Sequence, residues 1–142
     1  MNDFVVDSSV VAKWVLPEPD SPLAHQIMLD VVAAGGQLIV LDLVYAEVAS
    51  AIWKRHRQKL ISLSEAENAL ATLLRCPVHV QPAMSLLSEA FALAVNYDRA
   101  IYDARFIALV QNHGARGVTA DEPLFRTVSA ATPKLKLLRD WS

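Results

Sequence analysis

Apolar residues along this chain fall into two patterns that alternate. Short strand-like runs occur at Phe4–Val6, Leu38–Leu41, residues 78–81, Arg116–Thr119 and residues 136–138, and the continuous apolar run Leu38–Leu41 reads as a buried strand. The stretches between them place apolar residues at helical spacing. Residues 8–16 carry Val10, Val11, Trp14 and Val15 on one side, and Pro17 and Pro19 stop the helix. A second helix starts at Ser21 or Pro22 and runs to Ala33, where Gly35 and Gly36 end it. Asp42 is placed to cap a helix over residues 43–57. The order Ser64-Glu65-Ala66-Glu67 has the form of a capping box ahead of a helix carrying Leu70, Leu73 and Leu74. A further helix opens at Pro82 with Leu86, Leu87, Ala90, Phe91 and Ala94 as its apolar face. After a break at residues 96–99, a helix over residues 102–112 ends at His113-Gly114. Strands alternating with helices predict the α/β class, a parallel sheet covered on both faces.

The length of 142 residues suits one domain spanning 1–142. Hydrophobic residues make up 54% and mean hydropathy is +0.29, enough for a sizeable core. The net charge of -2 and pI of 6.0 argue against a module that coats nucleic acid by charge alone. They do not exclude a nuclease, because acids that hold divalent cations are locally less negative than their count suggests. Cys76 is the one cysteine, which excludes an intrachain disulfide and a cysteine-rich zinc site; it reads as a small apolar residue near a helix end. The start, MNDFVVDSSV, shows no basic segment followed by a long apolar run, and no stretch reaches the roughly 20 apolar residues of a membrane span. A cytoplasmic protein with no membrane association is expected.

Ligands of parallel sheets bind beyond the carboxyl ends of the strands. Asp7 directly follows the first strand, and Asp121 follows the fourth. Asp103 falls in the first turn of a helix, where a negative charge is favoured by the helix dipole. Each of these three, taken alone, also reads as a helix cap. Glu47 lies in the apolar stretch Val44-Tyr45-Ala46-Glu47-Val48-Ala49, where a core-facing carboxylate is costly unless paired or metal-bound. Ala51 holds the i+4 position, so its own helix offers no partner. Together the four acids can converge on Mg²⁺ or Mn²⁺, which prefer oxygen ligands. That chemistry supports phosphodiester hydrolysis by a metal-activated water.

Four pieces carry a family resemblance: Val5-Val6-Asp7-Ser8-Ser9-Val10, Tyr45-Ala46-Glu47, Tyr102-Asp103-Ala104 with Ile107-Ala108-Leu109, and Val118-Thr119-Ala120-Asp121. In order and spacing the chain resembles the PIN-domain family, and more narrowly the VapC-type toxins of toxin–antitoxin pairs. The resemblance implies a three-layer α/β/α sandwich on a five-stranded parallel sheet and Mg²⁺- or Mn²⁺-dependent endonucleolytic cleavage of RNA. It also implies inhibition by a cognate antitoxin protein, and a homodimer. By position, Asp7, Asp103 and Asp121 would hold the metal, Asp121 directly or through water, and Glu47 would be a ligand or orient the attacking water. Ser9 and Thr119 would hydrogen-bond the carboxylates. Phe106 and Val110 depart from the Tyr and Ala more usual around the third acid, a matter of packing.

The dense basic run is Lys54-Arg55-His56-Arg57-Gln58-Lys59, at the end of the Glu47 helix. It either complements the helix dipole or contacts RNA phosphate or an acidic antitoxin tail through Lys54, Arg55 and Arg57. Arg99 and Arg105 are alternative phosphate contacts. Trp14, near Asp7 in sequence, reads as core with base stacking as the alternative; Trp53 and Trp141 read as core or interface. His25, His56, His79 and His113 show no metal-ligand spacing. Apolar surface on the helices from Pro22 to Leu74 can bury an antitoxin helix or a second subunit. Two other readings compete: a catalytically idle PIN-like domain that binds RNA or protein, and a receiver-like or phosphatase-like domain. The second requires a lysine on a later strand, and Lys134 and Lys136 fit that place poorly.

Overall fold

A computed structural model describes residues 2–130 and 132–142. Five parallel strands form one sheet: β1 (Phe4–Val6), β2 (Leu38–Leu41), β3 (His79–Gln81), β4 (Arg116–Thr119) and β5 (Leu135–Leu137). Their order is β3-β2-β1-β4-β5. Around them lie α1 (Ser8–Val15), α2 (Ser21–Ala33), α3 (Val44–Arg57), α4 (Leu63–Arg75), α5 (Leu87–Tyr97), α6 (Ile101–His113) and α7 (Glu122–Val128). Short 3₁₀ turns occur at Ala83–Leu86 and Leu138–Asp140. The result is the three-layer α/β sandwich that the alternation of patterns predicts.

Burial explains the strand patterns. β1 and β2 lie inside the sheet and are buried at every position, whereas edge strand β3 is largely exposed. On β1, Phe4 pairs with Leu38 on one side and Arg116 on the other, and Val6 faces Val118. Helix α6 is buried from Ala104 to Val110 and packs on β1. It ends in Gly114 at φ 57°, a left-handed turn that glycine enters without a side-chain clash. Close packing recurs at Gly117: a Cβ there would come within 2.7 Å of Val110 and 3.3 Å of Phe106. Trp14 is core, its indole donating to the Ala24 carbonyl at 2.7 Å. Trp141 donates to Asp30 and lies edge-on to Phe4, whereas Trp53 is exposed.

Three local expectations are corrected. Asp42 does not cap α3. Its carboxylate accepts from the Ala83 amide at 3.2 Å, bridging from β2 to the turn after β3, and α3 starts without a side-chain cap. The capping box is Ser62 with Glu65, both bonds at 3.0 Å, so α4 starts two residues before the Ser64–Glu67 reading. Pro82 opens a 3₁₀ turn, and the α-helix proper begins at Leu87. Among strands, β3 begins at His79, not residue 78, and β5 is Leu135–Leu137, one residue earlier than predicted.

The two overlapping boxes can be told apart by substitution. Ser62→Ala should lower the unfolding free energy by about 1 kcal/mol, and Ser64→Ala should change it by less than about 0.5 kcal/mol. Urea denaturation of the two variants checks this.

Candidate active site

The sheet changes direction between β1 and β4. From β1 the chain moves outward through β2 to β3, then crosses back to β4 and on to β5. A crevice at the carboxyl ends is the geometric consequence. Asp7 leaves β1 at its mouth. Asp121 leaves β4 and caps α7, its Oδ1 accepting from the Leu124 amide at 3.0 Å. Helix α3 brings Glu47 to the same place and α6 brings Asp103. All four acids line one cleft of about 360 Å³, together with Ser8, Ser9, Tyr102 and Arg105.

Asp7 is fixed most tightly. Ser9 Oγ donates to Asp7 Oδ2 at 2.7 Å, and Thr119 Oγ1 donates to the same oxygen at 2.9 Å. Each hydroxyl accepts in turn from a backbone amide, Ser9 from Ala120 and Thr119 from Asp121, both at 3.0 Å. With their acceptor sites engaged by amides, both hydroxyls turn their protons to the carboxylate. Asp7 occupies the cap position of α1 but makes no side-chain cap bond there. Its carboxylate is committed to the cleft rather than to the helix.

Two arginines meet the other acids. Arg99 donates to Asp103 Oδ2 at 2.6 Å across one helical turn. Arg105 is buried and lies 3.8 Å from Glu47, and its guanidinium covers the Tyr102 ring at 4.7 Å from the centroid. Glu47 therefore has a cationic partner that its own helix does not supply. It is also more open than the apolar pattern implies, with its side chain 42% exposed.

Burial pushes the Asp7 carboxyl above its ordinary value against the pull of Ser9, Thr119 and the Ser8 amide, and the Asp121 charge adds to the rise. Glu47 is raised chiefly by burial. Arg105 opposes that shift, while the charges of Asp7 and Asp103 reinforce it. These mutual effects place the acids within each other's field. Among the described residues, no three acids, histidines or cysteines are drawn tightly enough to hold a metal ion as they stand. A caged site is not what Mg²⁺ requires. It keeps several waters and takes one or two carboxylates, so an open cleft of oxygen donors suits it.

Of the basic residues expected to contact phosphate, Lys54, Arg55 and Arg57 do not line the cleft. Arg55 pairs with Glu18, which also holds Lys13, and Arg57 lies over the Trp53 ring. Arg105 does line it, but as a buried support. Tyr102, which the sequence offers only as part of a motif, lines the cleft and is 72% exposed. The spacing Tyr102/Arg105, one turn apart, is the signal that could have marked it. His56 and His113 bond to the Ile61 carbonyl and to Gln81 respectively.

Residues 4–130 match the PIN domain. The chain belongs to the PIN-domain family. Within that family it is similar to Ribonuclease VapC3 of Pyrobaculum aerophilum, with 34% identity over 123 residues, which is 85% of this chain and 91% of the relative. Its fold is similar to that of PAE2754 from Pyrobaculum aerophilum, with a TM-score of 0.70, 22% identity, and 96% and 84% of the two chains covered. It is also similar to a chain of VapBC2 from Rickettsia felis, solved bound to a DNA fragment from their promoter, with a TM-score of 0.66, 13% identity, and 95% and 96% covered.

The raised Asp7 carboxyl has a consequence for stability. The folded chain binds a proton at Asp7 more tightly than the unfolded chain, whose carboxyl sits near 3.8. Ionising it therefore works against the fold above the raised folded value, and that cost vanishes below the unfolded one. Asp7→Asn should stabilise the chain at pH 7 in EDTA by about 0.5–2 kcal/mol, and the gain should fade as pH falls through the carboxylate range. Thermal denaturation across pH measures it.

Proposed function

We propose that this chain is a metal-dependent endoribonuclease of the VapC type, the toxin of a type II toxin–antitoxin pair. The observation that carries this reading is the convergence of Asp7, Glu47, Asp103 and Asp121 from four separate elements on one cleft. The similarity to Ribonuclease VapC3 supports the activity, and the likeness to VapBC2 supports the pairing with an antitoxin.

In this reading Asp7, Asp103 and Asp121 hold Mg²⁺ or Mn²⁺. When bound, the ion supplies a Lewis acid that acidifies water and offsets phosphate charge. Ser9 and Thr119 keep Asp7 Oδ2 in place through their hydroxyls, so its geometry is set before any ligand arrives. Glu47 accepts a proton from the attacking water. It shares the cleft with Asp7, Asp103 and Asp121, where the attacking water would lie. RNA is the substrate, and the strand is cut within its length.

An antitoxin helix and a second copy of the chain both need apolar surface, and two such surfaces are exposed. The α3–α4 hairpin presents Trp53, Leu70 and Leu74, which suits the antitoxin. Helix α5 presents Leu87, Phe91 and Val95 at four-residue spacing, which suits the dimer. Among the described residues no helix is long and apolar enough to cross a membrane.

Incubation with RNA tests the assignment. Cleavage should require Mg²⁺ or Mn²⁺ and stop in EDTA. Glu47→Gln should slow it by about 10²–10⁴-fold, and Asp7→Asn or Asp103→Asn should abolish it while the chains stay folded. RNA binding without metal-dependent cleavage would instead identify an idle PIN-like domain.

A further inference from the structure

Asp7, Asp103 and Asp121 come from separate segments, yet in each the fold takes hold of one carboxylate oxygen. On Asp7 it is Oδ2, through the Ser9 and Thr119 hydroxyls, and on Asp121 it is Oδ1, through the Leu124 amide. On Asp103 it is Oδ2, and the donor is Arg99 Nη2 at 2.6 Å. Asp103 differs in that its anchor is a long side chain rather than an amide or a short hydroxyl. How firmly it is held therefore depends on what holds Arg99.

Arg99 stands between α5 and α6. Its amide donates to the Ala94 carbonyl at 3.1 Å, which fixes its backbone on the last turn of α5. Its side chain enters a narrow gap walled by Leu93 of α5, Ile107 of α6, and Leu124 and Val128 of α7. There Nη1 meets Thr127 Oγ1 at 3.5 Å. Thr127 gives its own proton to the Pro123 carbonyl at 2.9 Å, so its lone pairs are left for the guanidinium. Arg99 Nε is buried and finds no partner among the described residues. An ordinary exposed pair one turn apart leaves both side chains in water; here the arginine and aspartate side chains are 22% and 32% exposed. Arg99 lines the gap between the helices and not the acidic cleft, so it reaches Asp103 from outside the cleft. That place suits a support for a ligand and does not suit a contact to phosphate.

We propose that Arg99 is the positioning residue of Asp103: by holding Oδ2 from outside the cleft, it makes Oδ1 the oxygen that Asp103 offers to the cation. This rests on the nuclease reading, in which Asp103 is a ligand, and gives Arg99 a role other than the phosphate contact its sequence position allows. Mg²⁺ and Mn²⁺ suit such a carboxylate, because a small octahedral ion takes few carboxylates and keeps water elsewhere. The charge of Arg99 opposes a cation, but partial exposure screens that repulsion. Orientation of a ligand by its hydrogen-bond partner typically accounts for about 10- to 100-fold in metal affinity, so orientation prevails.

The test uses the full chain and Mn²⁺ alone, with the free ion counted by its electron paramagnetic resonance signal. Arg99→Met keeps the apolar stem and removes the donors, and should raise the Mn²⁺ dissociation constant by about tenfold or more. Arg99→Lys, which still donates to Oδ2, should recover the larger part of that loss. Thermal unfolding in EDTA shows whether the variants fold; if Arg99→Met does not, Arg99→Gln is judged by the same criterion. In cleavage of a short oligoribonucleotide, the Arg99→Met defect should shrink as Mn²⁺ is raised, with KM for RNA unchanged. An Arg99→Met chain that binds Mn²⁺ within about twofold of the parent, or more tightly, would overturn the proposal while leaving the nuclease reading intact. So would an Arg99→Lys chain no better than Arg99→Met, which would reduce Arg99 to packing, or a raised KM that Mn²⁺ does not correct, which would make it a phosphate contact. A parent chain that cleaves no RNA, and whose Mn²⁺ binding is untouched by Asp103→Asn, would overturn both.

Discussion

Two hydroxyl protons aimed at one carboxylate oxygen hold the site together. Ser9 belongs to α1 and Thr119 to β4, and both turn toward Asp7 Oδ2 because each hydroxyl already accepts from a backbone amide of the β4–α7 segment, Ser9 from Ala120 across the sheet switch and Thr119 from Asp121 beside it. The carboxyl end of β1 is thereby tied to the carboxyl end of β4. Parallel pairing from Phe4 to Val6 against Arg116 to Val118 sets the register that makes this tie possible. A slip of one residue would turn Val118 outward and carry Thr119 away from Asp7.

The rest of the cleft is built against electrostatic resistance. The Asp121 charge adds to the cost of ionising Asp7, and Glu47 sits in the field of Asp7 and Asp103. Arg99 and Arg105 offset part of it, each from the segment that carries Asp103. The remainder is supported by packing: α6 is buried along seven consecutive residues and anchored on β1, so its first turn cannot retreat from the other acids. A carboxylate cluster that burdens the fold is the usual mark of a site kept for chemistry rather than for stability.

Much of this was legible in the chain. The strand runs stand out because central strands are apolar on both faces, and the acids at Asp7 and Asp121 stand out because they end such runs. Edge strand β3 has no such constraint, and its first residue is not marked by the apolar pattern. Caps were harder. Ser62 and Ser64 each precede a glutamate by three residues, so both boxes satisfy the local rule, and only the course of the α3–α4 turn selects Ser62. Asp42 has the right type for a cap, but the Ala83 amide, far along the chain, claims it. Glu47 looked unpartnered for the same reason: Arg105 reaches it from another helix. Local spacing also could not show that the basic run at residues 54–59 is partly spent on Glu18 and Trp53.

Strand order also governs when the cleft can exist during synthesis. β1 precedes the other described strands along the chain and becomes the middle of the sheet, so one of its two edges waits for β4. Until then Asp7 has neither the Thr119 hydroxyl nor Asp121 beside it. A growing chain carries the pieces of the cleft without the cleft itself, and assembly depends on contacts between distant parts of the sequence, which form late. The cleft is therefore incomplete until the greater part of the chain has been translated.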